Sequence, residues 1–320
     1  MSSEGFKIGK VEVLMGWRCN SNCIFCSVGH KLISDGRIKS WPEIKRDIEF
    51  AKKTGAGTVS FSGGEPTIRP EIFRALKYAS RTGFDTIEVQ TNARLLSYRS
   101  FAKKLLDTGA NRFLISVHAH NPELGDFLAR SAGAWNQSIE GIMNLKSLGM
   151  NNIRFSTVAC SRNYINFPEI MDFLLQFKGM GYHMGFVIPD GHAYRHRKTV
   201  PRMTDAAPYL RAAIDKVLAS GSEAWLYSVP HCLMQGYEHV IAEMGSSDTI
   251  LRGPDFEASI QKNRRRHRIK PASCKNCRYD QICLGVWRRY ADIHGLDEFK
   301  PVPGENITNP DTLMKQHYVE

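Results

Sequence analysis

The stretch VEVLMGWRCNSNCIFC, residues 11–26, places a run of strand-forming residues directly before three cysteines. Apolar and β-branched residues within Val11–Met15 predict a strand. Cys19, Cys23 and Cys26 follow it with the spacing C-x3-C-x2-C. In a barrel of parallel strands, the loops that follow the strands carry the active site. The stretch therefore predicts a first βα unit whose loop holds a site rich in thiols.

Three closely spaced thiols are ligands for a metal centre. Thiolates are soft ligands that suit iron–sulfur chemistry, and three of them on a four-iron cube leave one iron free to bind another molecule. The alternative is a structural zinc site, which needs a fourth ligand such as His30.

Five further units follow the first, because strand-forming runs alternate with amphipathic stretches that end near a glycine. The predicted strands are Val11–Met15, Thr58–Phe61, Thr86–Thr91, Arg112–Val117, Ile153–Val158 and His183–Ile188. The predicted helices are Trp41–Lys53, Pro70–Arg81, Ser97–Asp107, Trp135–Ser147 and Asn166–Gly179. The alternation stops near Pro189, and a complete eight-unit barrel takes about 250 residues. The chain is therefore predicted to form a partial (β/α)6 TIM-type barrel of the α/β class.

The 320 residues divide into three predicted segments. Residues 1–200 form the partial barrel. Residues 201–229 form a helical linker, with a helix over Ala206–Ala219. Residues 230–320 are polar, poor in strands and hold four cysteines, so we expect a small C-terminal domain that a metal centre stabilises.

Composition excludes several classes of protein. Hydrophobic residues make up 42% and charged residues 23% of the chain, which is typical of a globular protein and not of a disordered or collagenous one. No run approaches the roughly 18 apolar residues of a membrane span. Met1–Lys10 lacks an apolar signal core, so we expect a cytoplasmic protein. Because thiols stay reduced there, the eight cysteines indicate metal binding or catalysis rather than disulfides.

A second motif, SGGEPT at residues 62–67, directly follows the second predicted strand. Gly63 and Gly64 let the backbone approach a ligand more closely than residues with side chains would. The pair lacks the lysine of a phosphate loop and the spacing of a dinucleotide fingerprint. It is therefore evidence for a ligand-binding site only in combination with the cysteine motif.

Together the two motifs resemble the radical S-adenosylmethionine (SAM) superfamily over Val11 to about Gly191. The resemblance implies that Cys19, Cys23 and Cys26 hold a [4Fe–4S] cluster whose open iron binds SAM. It also implies that an electron from the cluster cleaves SAM to methionine and a 5′-deoxyadenosyl radical, which abstracts a hydrogen atom from a substrate.

The alternation of side chains along strands extends the predicted site. On the fourth strand, Ser116, His118 and His120 share the face opposite the apolar residues, so Ser116 is expected to point into the barrel. The two histidines are equally expected to serve only as packing behind the site. On the third strand, the same argument points Gln90 and Asn92 inward, where Asn92 is a candidate SAM-binding residue.

The resemblance also implies a set of contacts to SAM. Phe25 matches the family's aromatic residue next to the adenine, and Ser116 matches a serine that contacts SAM. Arg130 resembles the arginine that pairs with the SAM carboxylate. The remaining implied contacts are Gly63, Gly64 and Glu65 to the SAM amino group, Arg154 to SAM or substrate, and the backbone of Ile188 to the adenine.

Four cysteines in the C-terminal segment form a second group. Cys232 precedes Cys274, Cys277 and Cys283, and the last three have the spacing C-x2-C-x5-C. This spacing resembles the auxiliary-cluster extension of radical SAM enzymes called SPASM or, with one cluster, twitch. The resemblance implies an auxiliary [4Fe–4S] cluster in the C-terminal domain. The alternative is a zinc ribbon, which the same ligands would build.

Cys160 belongs to neither group of cysteines. It lies at the end of the fifth predicted strand, and counting by twos from Arg154 puts it on the inward face. Strand ends line barrel active sites, so Cys160 is a candidate catalytic residue that returns a hydrogen atom to a substrate radical, as cysteines do in radical SAM epimerases. The alternative is that Cys160 only fills space in the core.

These features predict an enzyme that abstracts hydrogen from a peptide or small-metabolite substrate, with flavodoxin or ferredoxin as the reductant. The auxiliary cluster would accept an electron or anchor the substrate. The net charge of +11 and the basic run RRRHR, residues 264–268, leave two alternatives open. One is a radical SAM enzyme that modifies tRNA, and the other is a non-catalytic zinc protein that binds nucleic acid.

Overall fold

The structure is a computed structural model that describes residues 7–29, 31, 37–245 and 247–314. His30, the predicted fourth zinc ligand, lies outside the described residues. In the described part of the chain, the main sheet contains the strands β1 (Lys7–Leu14), β2 (Thr58–Ser62), β3 (Thr86–Thr91), β4 (Arg112–Ser116), β5 (Ile153–Ala159), β6 (Gly181–Phe186), β7 (Glu223–Tyr227), β8 (Ser247–Arg252) and β9 (Glu257–Ser259). A separate antiparallel pair contains β10 (Arg268–Ile269) and β11 (Val286–Trp287).

The α-helices of the described part are α1 (Trp41–Lys53), α2 (Glu71–Thr82), α3 (Arg99–Asp107), α4 (Pro122–Ala129), α5 (Ala134–Ser147), α6 (Phe167–Leu175), α7 (Gly191–Arg195), α8 (Met203–Ala219), α9 (Ile260–His267), α10 (Arg288–His294) and α11 (Asp311–Met314). The helix predicted over Trp41–Lys53 has the same bounds as α1. A local signal marks its start, because the backbone N–H of Ser40 donates to the Glu43 carboxylate over 2.7 Å. None of the helices within the described residues is long and apolar enough to cross a membrane.

The order across the main sheet is β7-β6-β5-β4-β3-β2-β1-β8-β9. All neighbouring strands are parallel except β8 and β9. The sheet curls with helices on its outer face, so the predicted α/β class and partial TIM-type barrel are confirmed. The expectation that the alternation ends after six strands is wrong, because α8 and β7 add a further parallel unit.

The composition of β7 and β8 did not indicate strands, so neither was predicted from the sequence. β7 lies in the predicted linker, and β8 lies in the predicted C-terminal domain, where it pairs with β1. Each is short and mixes polar with apolar residues, so their strand character comes from the neighbouring strands. β6 begins two residues before its predicted start, at Gly181. A Cβ atom there would lie 2.1 Å from the Trp225 ring, so the glycine admits the indole of the adjacent strand.

Alternating burial divides the side chains of the strands between two layers. Along β5, residues 153, 155, 157 and 159 are buried toward the helices, and residues 154, 156 and 158 are partly exposed toward the barrel interior. The apolar layer is continuous with the buried faces of the helices. The interior face is therefore left for polar and ligand-binding side chains.

The C-terminal segment bridges the two ends of the curled sheet. Helix α9 directly follows the edge strand β9, and its Arg264 lies 5.5 Å over the Tyr227 ring of the opposite edge strand β7. One turn later, Arg268 donates to the Ser228 hydroxyl over 3.2 Å. The side of the barrel that the sheet leaves open is thus covered by residues that follow the sheet in sequence.

Candidate active site

A cavity of about 630 Å³ lies where the parallel strands end. This volume is within the roughly 300–1,000 Å³ of ligand pockets. Its wall comes from the loops after β1, β2 and β3, from the ends of β4 to β7, and from α9 and β11. The cavity therefore occupies the position at which barrels carry their active sites.

The three cysteines of the first loop all line this cavity. The loop is held by backbone hydrogen bonds to the end of α4, since Asn22 N–H donates to the Ala129 carbonyl and Ile24 N–H to the Leu128 carbonyl, both over 3.0 Å. The structure thus brings Cys19, Cys23 and Cys26 together on one anchored loop. Helix α4, which the sequence patterns did not indicate, supplies the anchor.

His192 is a second support for the cysteine loop. Its backbone N–H donates to the Cys26 carbonyl over 2.9 Å, and its Nδ1 lies 3.0 Å from the Cys23 carbonyl. The preceding Gly191 has a φ of 52°, and a Cβ atom there would lie 2.5 Å from the Cys26 carbonyl oxygen. Neither residue was predicted from the sequence, because no motif marks them and their partners lie far away in sequence.

The glycine pair after β2 packs against the backbone that leads into the cysteine loop. A Cβ atom on Gly63 would lie 2.4 Å from the Gly16 carbonyl oxygen, and one on Gly64 would lie 2.1 Å from the Arg18 carbonyl oxygen. Gly63 also has a φ of 121°, which favours glycine. Both glycines line the cavity, and both are required for the two loops to meet.

Glu65 is fixed by the surrounding protein. One carboxylate oxygen accepts from the Thr91 hydroxyl over 2.7 Å and from the Thr67 backbone and hydroxyl, and the other accepts from the Asn92 backbone N–H over 2.8 Å. Burial raises the pKa of Glu65, while these hydrogen bonds oppose the rise. The carboxylate thereby ties the loop after β2 to the end of β3.

The other predicted SAM-binding residues on this wall are Phe25, Asn92, Ser116 and Ile188, all of which line the cavity. Phe25 packs edge-on against His118, with ring centroids 4.7 Å apart. Asn92 donates to the Asn20 side chain over 2.7 Å, which connects β3 to the cysteine loop. Ile188 lies in the loop beyond the end of β6 and not within the strand. The inward direction predicted for Asn92 and Ser116 agrees with their position.

Arg94 was missed by the sequence analysis and also lines the cavity. Its guanidinium donates to the Asn20 carbonyl and, over 3.1 Å, to the Ser21 hydroxyl, so it braces the cysteine loop. It lies three residues after the end of β3. Only this position near a strand end would have indicated from the sequence that it belongs to the site.

Arg130 and Arg154 are not among the residues that line the cavity. Arg130 caps α4 in the left-handed conformation, with a φ of 49°, and its side chain is exposed. Arg154 faces the barrel interior below Ser156, 3.9 Å from Glu223 and 4.7 Å over the Trp225 ring. Their implied contacts to SAM stay predictions.

Cys160 does not reach the cavity. β5 ends at Ala159, and the chain then turns, with the Cys160 carbonyl accepting from the backbone N–H of Asn163 and Tyr164. This turn carries Cys160 away from the strand direction, so the predicted inward position is wrong. The thiol is fully buried in the apolar core, and burial raises its pKa to about 11.

The electrostatics of the first cysteine loop suit a metal centre. Burial raises the pKa of Cys19 to about 11, with Glu65 adding to the rise, and raises the pKa of Cys23 to about 12. The thiols are therefore protonated at neutral pH in the absence of a cation, and metal binding must displace protons. Three soft ligands facing an open cavity fit a cluster that keeps one position for a further molecule.

The four C-terminal cysteines also come together. Cys232, Cys274, Cys277 and Cys283 line one small cavity of about 20 Å³. Burial and the three other thiols raise the pKa of Cys232 to about 12. The backbone N–H of Gly285 donates to Cys283 Sγ, and that of Val302 donates to Cys277 Sγ, both over 3.3 Å. The predicted group of four is thus brought together, with hydrogen bonds that favour thiolates.

The basic run at residues 264–268 is divided between the interior and the surface. Arg268 forms a two-pronged pair with the buried Glu243 carboxylate, and Arg264 lies 3.4 Å from the same carboxylate. Arg265 and Arg266 are exposed. Two of the five residues of the run thus pair with a buried carboxylate, and three stay at the surface.

Comparison with known sequences identifies the first half of the chain. A sequence model described as the Radical SAM superfamily matches residues 13–174. A probable GTP 3′,8-cyclase of Methanocaldococcus jannaschii is 28% identical over 170 residues, which cover 53% of this chain and 56% of that protein. A GTP 3′,8-cyclase of Petrotoga mobilis is 28% identical over 186 residues, which cover 57% and 56%. The chain thus matches only about half the length of these curated relatives.

Solved structures resemble the chain over a longer range. SuiB of Streptococcus suis bound to S-adenosylmethionine has a TM-score of 0.66 at 16% identity, covering 92% of this chain and 76% of that one. The structure titled native anSMEcpe with bound AdoMet has a TM-score of 0.62 at 16% identity, covering 96% and 95%. At such low identity these likenesses show the fold alone. Since the family match spans half of the chain and includes the cysteine loop, the chain belongs to the radical SAM superfamily, whose enzymes bind a [4Fe–4S] cluster and SAM.

Proposed function

We propose that this enzyme uses SAM to abstract a hydrogen atom from a peptide or small-metabolite substrate, and that Cys19, Cys23 and Cys26 hold its cluster. The observation that carries the proposal is the convergence of the three thiols on the wall of the cavity at the strand ends. When bound, the cluster supplies the electron that cleaves SAM to methionine and a 5′-deoxyadenosyl radical, which takes the hydrogen atom. Flavodoxin or ferredoxin is the proposed reductant.

The residues around the three thiols would bind and orient SAM. Gly63 and Gly64 allow the loop after β2 to lie against the cysteine loop, and the fixed Glu65 holds it there. Phe25, braced by His118, offers an apolar surface for the adenine. Together with Asn92, these groups form a site whose shape is set before a ligand arrives, which lowers the cost of binding.

We further propose that the C-terminal cysteines hold an auxiliary [4Fe–4S] cluster in a SPASM or twitch type of domain. The competing zinc ribbon requires four ligands at about 2.0–2.3 Å from one ion. Among the described residues, no three His, Cys, Asp or Glu side chains come close enough together for a single ion. Four thiols that line one cavity supply the four ligands that a [4Fe–4S] cluster takes.

A small metabolite and a peptide both remain candidate substrates. The curated relatives are named for a cyclisation of GTP, which favours a small molecule, but their match covers about half of the chain. The division of the basic run between Glu243 and the surface disfavours tRNA, the alternative substrate.

The proposal is tested by measuring iron and SAM cleavage in the anaerobically reconstituted protein. We expect about eight irons per chain, as two four-iron clusters require, and 5′-deoxyadenosine on reduction with dithionite. Cys277→Ala is expected to lose about half of the iron while 5′-deoxyadenosine still forms. Zinc in place of iron, or no SAM cleavage by the reduced protein, would refute the proposal.

The structure also gives a prediction for Cys160→Ala. Because the thiol is buried in the core, we expect the free energy of unfolding to fall by about 1 kcal/mol, as is typical of a buried substitution. SAM cleavage and product formation are expected to stay unchanged. Chemical denaturation and product analysis measure both. Accumulation of 5′-deoxyadenosine without product would return Cys160 to a catalytic role.

A further inference from the structure

The part of the cavity wall contributed by the end of β7, by α9 and by β11 has its own chemistry. We call it the C-terminal wall, and it consists of Tyr227, Ser228, Asn263, Arg264 and Trp287, all of which line the cavity. Its residues come from elements that follow residue 222 and lie beyond the residues matched by the family, 13–174.

Arg264 brings a positive charge to this wall. Its side chain is only 16% exposed, and its Nε lies 3.4 Å from the Glu243 carboxylate. Among the described residues, no acceptor forms a hydrogen bond with its two terminal nitrogens. Burial lowers the pKa of Arg264, but a guanidinium stays protonated at neutral pH. The two terminal nitrogens are not among the buried polar atoms that lack a partner, so they are open to the cavity and free to donate to an anion there.

Glu243 does not neutralise this charge, because it is shared. Both of its carboxylate oxygens accept from Arg268, whose side chain is almost fully buried. Two guanidinium groups thus contact one carboxylate. The buried Asp248 carboxylate also acts on Arg264, from outside this group of three. Only Arg264 of the two arginines lines the cavity.

Ser228 adds a donor beside Arg264. Its hydroxyl oxygen accepts from Arg268 over 3.2 Å and from the Trp287 indole over 3.1 Å. Since both neighbours are donors, the hydroxyl proton is left to donate elsewhere. Ser228 is 5% exposed and has a φ of 65°, a strained conformation that the contacts around it hold in place.

We infer that Arg264 and Ser228 bind an anionic group of the substrate, a carboxylate or a phosphate, on the C-terminal wall. The guanidinium presents parallel donors that match the two oxygens of such a group, and the hydroxyl supplies a third donor. Tyr227 and Trp287 add aromatic surface to the same wall. The inference rests on the proposed function, because it takes this wall as the place of the substrate.

The experiment uses the anaerobically reconstituted protein with saturating SAM, at about physiological ionic strength. Calorimetry measures binding of two probes, inorganic pyrophosphate and citrate, which represent the phosphate and carboxylate sources. We expect at least one probe to bind and Arg264→Gln to weaken it tenfold or more. Arg266→Gln, which removes the same charge from an exposed position on the same helix, is expected to change affinity less than twofold.

Two further variants keep the test independent of folding. Arg264→Lys keeps the charge but presents no paired donors, so we expect an affinity between those of the wild type and Arg264→Gln. Ser228→Gly relieves the positive φ and removes the hydroxyl, and is expected to weaken the probe about threefold. Iron content confirms that each variant folds.

The outcomes separate this inference from the proposed function. Binding of neither probe, or equal affinity in Arg264→Gln, would overturn the inference even if the wild type cleaves SAM. Loss of probe binding on adding SAM would assign Arg264 to the SAM carboxylate and also overturn it. Failure of the wild type to cleave SAM would instead refute the proposed function.

Discussion

Replacing Cys19, Cys23 and Cys26 together by alanine is expected to abolish SAM cleavage and to remove about half of the iron, as loss of one of two four-iron clusters requires. The three thiols lie on one loop and line the main cavity, whereas the other ligand group lies in a separate cavity. The loss should therefore be confined to the first site. Chromatography of 5′-deoxyadenosine and a chelation assay for iron measure the two effects.

Cys160→Ala is the matched control for this variant. It removes a thiol that belongs to neither group and that lies in the apolar core. We expect it to retain both the iron and the SAM cleavage of the wild type. Formation of 5′-deoxyadenosine by the triple variant above the background without protein would show that the cleaving cluster lies elsewhere.

Gly64→Ala is expected to have the largest effect of any single substitution near the site. Its Cβ atom would lie 2.1 Å from the Arg18 carbonyl oxygen and 2.5 Å from that of Trp17, both of which are backbone atoms. The clash must separate two loops that hydrogen bonds now join, such as that from Gly64 N–H to the Gly16 carbonyl over 2.8 Å. We expect a loss of about 2–3 kcal/mol in the free energy of unfolding, the upper part of the range for overpacking.

The same substitution should also displace the cysteine loop, so we expect iron to fall to about half and SAM cleavage to disappear. Gly57→Ala is the control, because Gly57 precedes the same strand and a Cβ atom there meets only one atom within 4 Å, at 3.8 Å. Denaturation and iron content are compared for the two variants. Wild-type stability in Gly64→Ala would mean that the two loops do not meet in this way.

The parts of the site that the sequence predicted are those encoded within a few residues. Two motifs can be recognised from neighbouring residues alone: the spacing of Cys19, Cys23 and Cys26, and the pair Gly63–Gly64. The structure brings both motifs to one cavity. Strand parity placed Ser116 and Asn92 on the inward face because they lie at or next to regular strands. Parity failed for Cys160, where the chain turns directly after β5 and the Cys160 carbonyl accepts from the backbone N–H of Asn163 and Tyr164.

The residues that the sequence did not predict depend on distant partners. His192 supports the cysteine loop from a position 166 residues beyond Cys26, and no local pattern distinguishes it from any buried histidine. Arg264 looked like one member of a basic run, and only the position of Glu243 shows that it turns inward. β7 and β8 were missed for the same reason, because pairing with the barrel defines them more than their composition does.

The bridge between β9 and β7 has a consequence for how the enzyme assembles. Residues 7–186 carry the first cysteine loop and six parallel strands, but the barrel wall is completed only by α9 and by the segment around Trp287. That segment follows Cys274, Cys277 and Cys283, which lie between β10 and β11 in sequence, whereas Cys232 lies between β7 and β8. Folding of the C-terminal segment, whose three thiols meet Cys232 in one small cavity, therefore closes the open side of the main cavity.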